Sequence, residues 1–393
     1  MAELRTNEDV HLNTLTYRTS QQDDHRAESL EESHEGTGQG LPPVDKGWAA
    51  WRMLLSAFIF ESLLWGTLCI VGVLASSFAQ SLGGIIFTQG VMYGVGFTVF
   101  YYPIIGMVNE FWVARRGMAY GILCSSSGVS GVVIPFLLET SLDRFGLSTT
   151  LRAVAIGLAL VTGPLIPLLK GRIPISEQSS AAPVGRTDRG FLQVPLFWIY
   201  SVSNLMQGLG YFFPSLYLPS YATTLGMSSK MGALLLAIMS VFQVLGQFSF
   251  GYLSDRRFSV NVLTLTSTLV SATAILTLWG LAQSFSLLCI FAVVYGFFGA
   301  GYTAMWARMG TSVTTDTTAA FTAFGLFNFG KGLGNVFAGP IGANLLIDSV
   351  NSVEYGAAKY KAVVLFTGSC MLASAASATA AYFKPWKAAS VRE

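Results

Sequence analysis

After residue 46 the chain alternates between long apolar runs and short segments that carry charge. Most of these runs exceed about 20 residues, the length that an α-helix needs to cross a bilayer. We therefore expect an all-α polytopic membrane protein with roughly ten transmembrane helices. The predicted spans cover residues 53–79, 82–108, 117–138, 150–169, 196–222, 230–253, 260–282, 285–307, 319–347 and 362–383. A polar turn is predicted over residues 143–146, between the third and fourth spans.

Composition supports this interpretation and divides the chain further. Hydrophobic residues make up 52% of the chain and charged residues only 11%, which is too apolar for an ordinary soluble domain. Residues 1–46 hold ten acidic and four basic residues, whereas the rest holds eleven acidic and 19 basic ones. We predict a disordered tail over 1–46, an N-terminal bundle of four spans over 47–169, a linker over 170–195, a six-span C-terminal bundle over 196–384, and a short tail over 385–393.

The distribution of lysine and arginine predicts the orientation in the membrane. With the N-terminal tail in the cytoplasm, the loops on that side carry Arg115, Arg116, Arg256 and the basic linker, and Arg308 lies at the interface. The loops on the opposite side carry fewer basic residues, in agreement with the positive-inside rule. We therefore expect both termini and the linker in the cytoplasm.

Residues 109–135 join a short basic loop directly to a span. Arg115 and Arg116 are expected in a loop, because arginine is costly to place in hydrocarbon. The residues from Gly117 to Leu138 carry no charge and are expected to span the membrane. This span carries glycines at positions 117, 121, 128 and 131. Small residues at such spacing allow neighbouring membrane helices to approach closely. A packing face without further function explains any one of these glycines equally well.

Residues 111–121, Phe-Trp-Val-Ala-Arg-Arg-Gly-Met-Ala-Tyr-Gly, resemble the loop and helix start that mark the monocarboxylate transporter family, in its fungal branch. Residues 41–51 resemble the opening motif of that family, although Lys46 and Ala49 depart from it. The family belongs to the major facilitator superfamily. The resemblance implies twelve spans in two bundles of six, transport by alternating access, and a place in the plasma membrane.

The two halves repeat, but the first half is shorter. Residues 121–135 are echoed by residues 325–340, and both stretches are rich in glycine and end in proline. Residues 251–257 resemble the superfamily's loop between the second and third helices of each half, and the first half has no copy of that loop. We therefore expect an N-terminal bundle that lacks about two helices, through an internal loss near Gly66–Thr67.

Two ionisable residues inside predicted spans are candidates for function, because charge within a membrane is costly. Lys331 lies between two glycines, matches a basic residue common in the family's eleventh helix, and is a candidate contact for a carboxylate substrate. A structural ion pair, or snorkelling to the interface, is the alternative. Glu61 is a candidate for binding a proton or a cation, and the alternative is that the internal loss has shifted its depth.

Uncharged polar residues in other spans are candidates for lining a solute path, with interhelical hydrogen bonding as the alternative. The candidates are Asn204, Gln207, Tyr211, Gln243, Gln247, Asn328 and Asn335. Animal members of the family carry an acid and an arginine where this chain has Gln243 and Gln247. Neither glutamine can hold a proton or pair ionically with a carboxylate, so the chain departs from the family in residues that bear on both monocarboxylate specificity and proton coupling.

Four loop residues are expected to gate the two bundles against each other: Arg115, Arg116, Asp255 and Arg256. The chain has no phosphate-binding loop or zinc-protease motif, and its cysteines show no metal-ligand spacing. We expect no enzyme activity, cofactor, metal or nucleic acid. The expected partners are a small organic solute, protons and the lipid bilayer, and the oligomeric state stays open. The predicted function is transport of small organic solutes, with monocarboxylates as the candidate class, and the alternative is a transport-inactive truncated paralogue or a membrane sensor.

Overall fold

The computed structural model describes residues 43–63, 67–172, 189–256, 258–314, 316–346, 355–357 and 359–383. These residues form helices joined by short loops and contain no β-strand. The all-helical prediction is thus confirmed. The terminal tails lie almost entirely outside the described residues, as do most of the predicted linker and Gly66 at the predicted junction.

The first half begins with two helices on either side of residues 64–66. Helix α1 spans Trp48–Leu63 and helix α2 spans Thr67–Ser76. Helix α3 spans Leu82–Phe111 and includes a π-helical segment over Ile86–Met92.

Helix α4 spans Arg116–Thr162 and is kinked at Gly146. The polar turn predicted over residues 143–146 is therefore shorter in the structure, because a single residue redirects the chain. Gly146 has φ 73° and ψ 172°, a conformation that glycine adopts without the steric cost of a Cβ atom. The residues before it keep a helical backbone, so the first arm of α4 extends beyond the predicted span.

The helices of the second half match the predicted spans closely, except that the span predicted over 196–222 is divided into two helices. They are α5 (Pro195–Gly210), α6 (Phe213–Thr224), α7 (Ser229–Ser254), α8 (Val260–Ala274), α9 (Phe285–Val313), α10 (Thr317–Leu345) and α11 (Lys361–Phe383). Ser259, Ser284 and Asp316 begin α8, α9 and α10, because their side-chain oxygens accept N–H groups of the first turn.

Within the described residues, six helices are long and apolar enough to cross a membrane. They are Leu82–Phe111, Thr140–Leu168, Ser229–Ser254, Val260–Trp279, Phe285–Trp306 and Lys361–Thr379. Helix α10 is as long as these helices but is not among the six, because its many glycines, its asparagines and Lys331 make it less apolar. The count of ten spans stays a prediction.

The first half has its own buried apolar cluster, to which Met53, Ile105 and Trp112 belong. Phe324 of α10 is buried in the same cluster. The ring of Tyr102 in α3 also meets that of Phe321 in α10, with 5.6 Å between the ring centres. Helices α3 and α10 therefore bring the two halves together at this end of the molecule.

Candidate solute site and the contacts between the halves

Helices α4 and α7 pack against each other at the boundary between the two halves. A Cβ atom at Gly121 would lie 2.7 Å from the carbonyl oxygen of Gln247 and 3.1 Å from the Cα of Gly251. A Cβ atom at Gly128 would lie 2.7 Å from Cγ2 of Val244. The glycines of α4 therefore let its backbone reach that of α7, a close approach of the kind that the glycine spacing predicted.

Asp255, just after α7, binds the start of α4 in the other half. Its carboxylate oxygens accept the N–H groups of Gly117 and Met118 at 2.8 and 2.7 Å. Arg308 in α9 approaches this carboxylate at 3.7 Å. A carboxylate is stabilised at a helix N-terminus, because it meets unsatisfied N–H groups and the positive end of the helix dipole. We call Asp255, Arg308 and the N–H groups of residues 117 and 118 the Asp255 cluster.

A second carboxylate holds the loop that leads into α4. Asp45 accepts the N–H groups of Val113, Ala114 and Arg115 at 3.1, 2.9 and 3.0 Å. Its own N–H group donates to the carbonyl oxygen of Phe111 at 2.8 Å. Two aspartates from distant parts of the chain therefore order residues 113–118.

We predict that Asp255→Asn weakens the boundary between the halves. The substitution removes the negative charge and turns one acceptor into a donor that faces other donors, so we expect a loss of about 1 to 3 kcal/mol in the free energy of unfolding. Asp143→Asn is the matched control, because Asp143 is exposed on α4. Thermal unfolding of the purified protein measures both. Equal melting temperatures for the two variants would contradict the role given to Asp255.

Lys331 lies in the middle of α10 and is only 4% exposed. Its Nζ atom is 3.5 Å from the ring centre of Trp306 in α9 and 4.5 Å from that of Tyr211. Among the described residues, no carboxylate oxygen lies within 4.0 Å of this ammonium group. The ion pair considered from the sequence is therefore not formed there. Cation–π contacts offset part of the cost of burying the charge, but they provide no hydrogen-bond acceptor.

Helix α5 approaches the same level of α10 and carries two buried amides. A Cβ atom at Gly208 would lie 3.1 Å from the Cα of Lys331, so the two backbones nearly touch. The neighbouring Gln207 is fully buried, and both of its amide atoms lack a partner in the described protein. The Oδ1 atom of Asn204, one turn earlier, also lacks one. Such buried groups cost about 1 to 3 kcal/mol each unless water or a solute satisfies them.

The two glutamines of α7 differ in their surroundings. Gln247 is 3% exposed, and its Nε2 atom donates to Oγ1 of Thr303 at 3.0 Å. Its Oε1 atom has no partner in the part of the chain that the structure describes. Gln243 is half-buried. Gln247 is thus the better placed of the two to meet a polar solute.

The two asparagines of α10 divide in a similar way. Asn328 lies beside the hydroxyl group of Tyr102 of the first half. Asn335 keeps a buried Oδ1 atom without a partner among the described residues. Asn328 therefore lies at a contact between helices in this conformation, whereas the Oδ1 atom of Asn335 can still accept a hydrogen bond from a solute.

The first half contributes Glu61, which is half-buried in α1. Cys124 of α4 lies close enough to both Glu61 and Lys331 to interact with them electrostatically. Tyr101 of α3 interacts with Glu61 in the same way. Cys124 therefore lies near both ionisable candidates, one from each half, and these two do not form an ion pair with each other.

The four gating candidates make different contacts in the structure. Arg115 is exposed, and its N–H group binds Asp45. The Nε atom of Arg116 donates to the carbonyl oxygen of Trp112 at 3.1 Å. Arg256 stacks on Tyr252 in the last turn of α7, 4.8 Å from the ring centre. Of the four, Asp255 joins the halves through its side chain.

Sequence reasoning missed three residues of these sites. Asp45 stands in the opening motif, but its partners lie about 70 positions away, beyond any local pattern. Arg308 was expected at the membrane interface, and its contact with Asp255 was not foreseen. Trp306 lies in an apolar run, where an aromatic residue gives no signal of a cation nearby.

Comparison with known proteins identifies the family of this fold. The family model of the Major Facilitator Superfamily matches residues 45–338 and 200–390. Monocarboxylate transporter 12 of Rattus norvegicus is 27% identical over 345 residues, which cover 79% of this chain and 69% of the relative. The protein of that name from Homo sapiens is also 27% identical, and 65% of it is covered. The MFS-type transporter pynF of Aspergillus niger is 26% identical over 301 residues, which cover 76% of this chain and 68% of the relative.

These matches confirm the resemblance that the motifs of the sequence suggested, and they agree with the all-helical structure and its apolar helices. The relatives are transporters, and the helices are those of an integral membrane protein. The chain therefore belongs to the major facilitator superfamily of membrane transporters.

Proposed function

We propose that this chain carries a small organic anion across a membrane by alternating access, and that it recognises the anion's carboxylate through Lys331. The observation behind the proposal is a buried lysine without a carboxylate partner among the described residues. A buried charge without a counter-ion is costly. The arrival of an anion removes that cost, and this favours binding of a carboxylate.

Two further observations support the carboxylate class. Several relatives are named monocarboxylate transporter 12. The buried amides of Gln207 and Gln247 have unpartnered atoms in the described structure, and such atoms suit a solute that also carries polar groups.

Alternating access requires the two halves to move relative to each other around the solute. We assign closure of the predicted cytoplasmic end to the contacts between α4 and α7 and to the Asp255 cluster. Contact between the backbones at Gly121 and Gly251 involves no long side chains, so a small shift of one helix along the other needs little repacking. Opening of this end would release the two N–H groups that Asp255 binds.

Glu61 is the residue that we propose for proton coupling. It is half-buried in α1 and interacts electrostatically with Tyr101 and Cys124. A glutamic acid within a membrane is far less costly in its neutral form than as a carboxylate. Because Gln243 and Gln247 are not ionisable, they leave this role to Glu61. We also propose a plasma membrane location with both termini in the cytoplasm, in accord with the positive-inside distribution of basic residues.

Uptake of radiolabelled small monocarboxylates tests the proposal in a host that lacks its own carboxylate transporters. We expect saturable uptake that external acid stimulates, and we expect Glu61→Gln to keep uptake but lose the stimulation. The host with an empty vector is the control. If the chain reaches the cell surface and moves no carboxylate, the transport-inactive paralogue or membrane sensor is favoured. Equal acid stimulation in Glu61→Gln would remove Glu61 from the coupling step.

A further inference from the structure

A cavity of about 600 Å³ lies between the two halves, at the end where the Asp255 cluster lies. Two of its walls come from the first half, through the end of α3 and the start of α4. The other two come from the second half, through the end of α9 and the start of α10. The cavity is lined by Gly106, Asn109, Glu110, Arg116, Tyr120, Arg308, Thr311, Thr314, Thr318, Ala320, Phe321, Thr322 and Phe324.

We infer that this cavity is a second anion site, and that it takes an organic carboxylate between the guanidinium groups of Arg116 and Arg308. Phe324 is the lining residue of α10 nearest to Lys331 in the sequence, and Lys331 follows seven residues later. A rise of 1.5 Å per residue separates the two positions by about 10 Å along the helix. The site is therefore distinct from the Lys331 site.

Both arginines retain donors for a ligand. Arg116 uses its Nε atom for the carbonyl oxygen of Trp112. Arg308 donates once to the carbonyl oxygen of Ser254 at 3.2 Å, and its Nε atom is buried without a partner in the described protein. Its contact with Asp255 is long, at 3.7 Å. A guanidinium group has five N–H donors in a planar fork that matches a carboxylate, so each arginine can bind an anion without leaving its present contacts.

The acidic groups near the cavity are already engaged. Glu110 accepts the N–H group of Arg172 at 2.7 Å. Asp316 accepts the N–H groups of Thr318 and Ala319 at 3.1 and 3.2 Å, at the start of α10. The lining itself contains two cations and one carboxylate, so it favours an anion.

The remaining walls favour an organic anion over a small inorganic one. Tyr120, Phe321 and Phe324 line the cavity with aromatic surface. Its volume lies within the range of about 300 to 1,000 Å³ that small-molecule sites occupy. An aromatic or branched carboxylate fills such a space, with its charge between the arginines and its apolar body against the rings. The role of this site, as a stop for the solute near the predicted cytoplasmic exit, rests on the proposed transport function. Binding of the anion does not, because it can be measured without transport.

Protection of arginine from phenylglyoxal tests the site in the purified full-length protein. Mass spectrometry follows labelling of Arg116 and Arg308, with benzoate as the probe and benzamide as its uncharged counterpart. At about four times the half-protecting benzoate concentration, we expect labelling of both arginines to slow about fivefold. Benzamide should leave labelling unchanged. Arg144, exposed on α4, is the reference that benzoate should not protect.

Two variants sharpen the test. Lys331→Met should retain protection, because its site lies deeper, whereas Arg308→Gln should remove the protection of Arg116. The inference is overturned if benzoate fails to protect, if Arg144 is protected equally, if Lys331→Met abolishes protection, or if inorganic phosphate protects as well as benzoate. A chain that takes up no carboxylate but still shows protection would refute the proposed function and leave this site standing.

Discussion

Replacing Lys331 by methionine is expected to reduce carboxylate uptake about tenfold or more while the protein remains folded. The substitution removes the cation that meets the substrate's carboxylate. A hydrogen bond to a charged group contributes about 1.5 to 3 kcal/mol, so uptake per folded transporter should fall about 10- to 100-fold. Methionine is long, unbranched and apolar, and it fills the space beside Trp306 and Tyr211 that the lysine stem occupies. The measurement is initial uptake of a labelled monocarboxylate, normalised to the amount of folded protein.

The melting temperature separates a functional lysine from a structural one. Because Lys331 has no carboxylate partner in the described part of the chain, its removal breaks no ion pair there and relieves a desolvation cost. We expect Lys331→Met to melt at the parent temperature or above it. Lys230→Gln, exposed in the first turn of α7, is the matched control and should retain uptake. A parallel fall in melting temperature and uptake in Lys331→Met would show that the lysine is structural.

The helices could be predicted well from the sequence, because long runs without charge have few other stable arrangements in a membrane. The predicted span 230–253 corresponds to Ser229–Ser254, and the predicted span 362–383 to Lys361–Phe383. The kink at Gly146 shows where this reasoning fails. Asp143 and Arg144 read as a turn because they are charged, yet the conformational freedom of one glycine is sufficient to redirect the chain.

The contacts between the halves could be predicted only in kind. Glycine spacing indicated that α4 approaches another helix closely, but spacing on one helix does not identify its neighbour. The fold determines the partner, because it places Gly251 and the carbonyl oxygen of Gln247 opposite Gly121. The same limit applies to charge, since Asp255 was a candidate from its motif, whereas its pairing with Arg308 depends on how α7 and α9 pack.

The candidate solute site could be predicted only in part. Lys331 was identified because a charge within a membrane span is costly wherever it lies. Of the two rings beside it, Tyr211 was a candidate from the sequence and Trp306 was not. Trp306 differs from the other aromatic residues of the chain only by its position in space. Glu61 was identified by the same argument as Lys331, and the structure places it near Cys124 and Tyr101. Its role in coupling stays a prediction.

Gly121→Val is expected to separate α4 from α7 and to destabilise the protein. The first added carbon alone would lie 2.7 Å from the carbonyl oxygen of Gln247, which is too close for any rotamer to relieve. Overpacking of this kind costs about 1 to 3 kcal/mol in the free energy of unfolding. Gly157→Val is the matched control, because Gly157 lies on the same helix with no atom within 4 Å of an added Cβ. Valine has a higher helix propensity than glycine, so the control should melt at the parent temperature or above it.

A double substitution shows whether the loss arises from this one contact. Gly251 faces Gly121, and a Cβ atom on it would lie 2.8 Å from the Cα of Gly121. Once one methyl group has pushed the two backbones apart, a second one costs less. We therefore expect Gly121→Ala and Gly251→Ala together to lower the melting temperature by less than the sum of their separate effects, since neighbouring sites are not additive. Gly157→Ala combined with Gly251→Ala should be additive. Additive losses in the first pair would place the two glycines in separate environments and would contradict the close approach of α4 and α7.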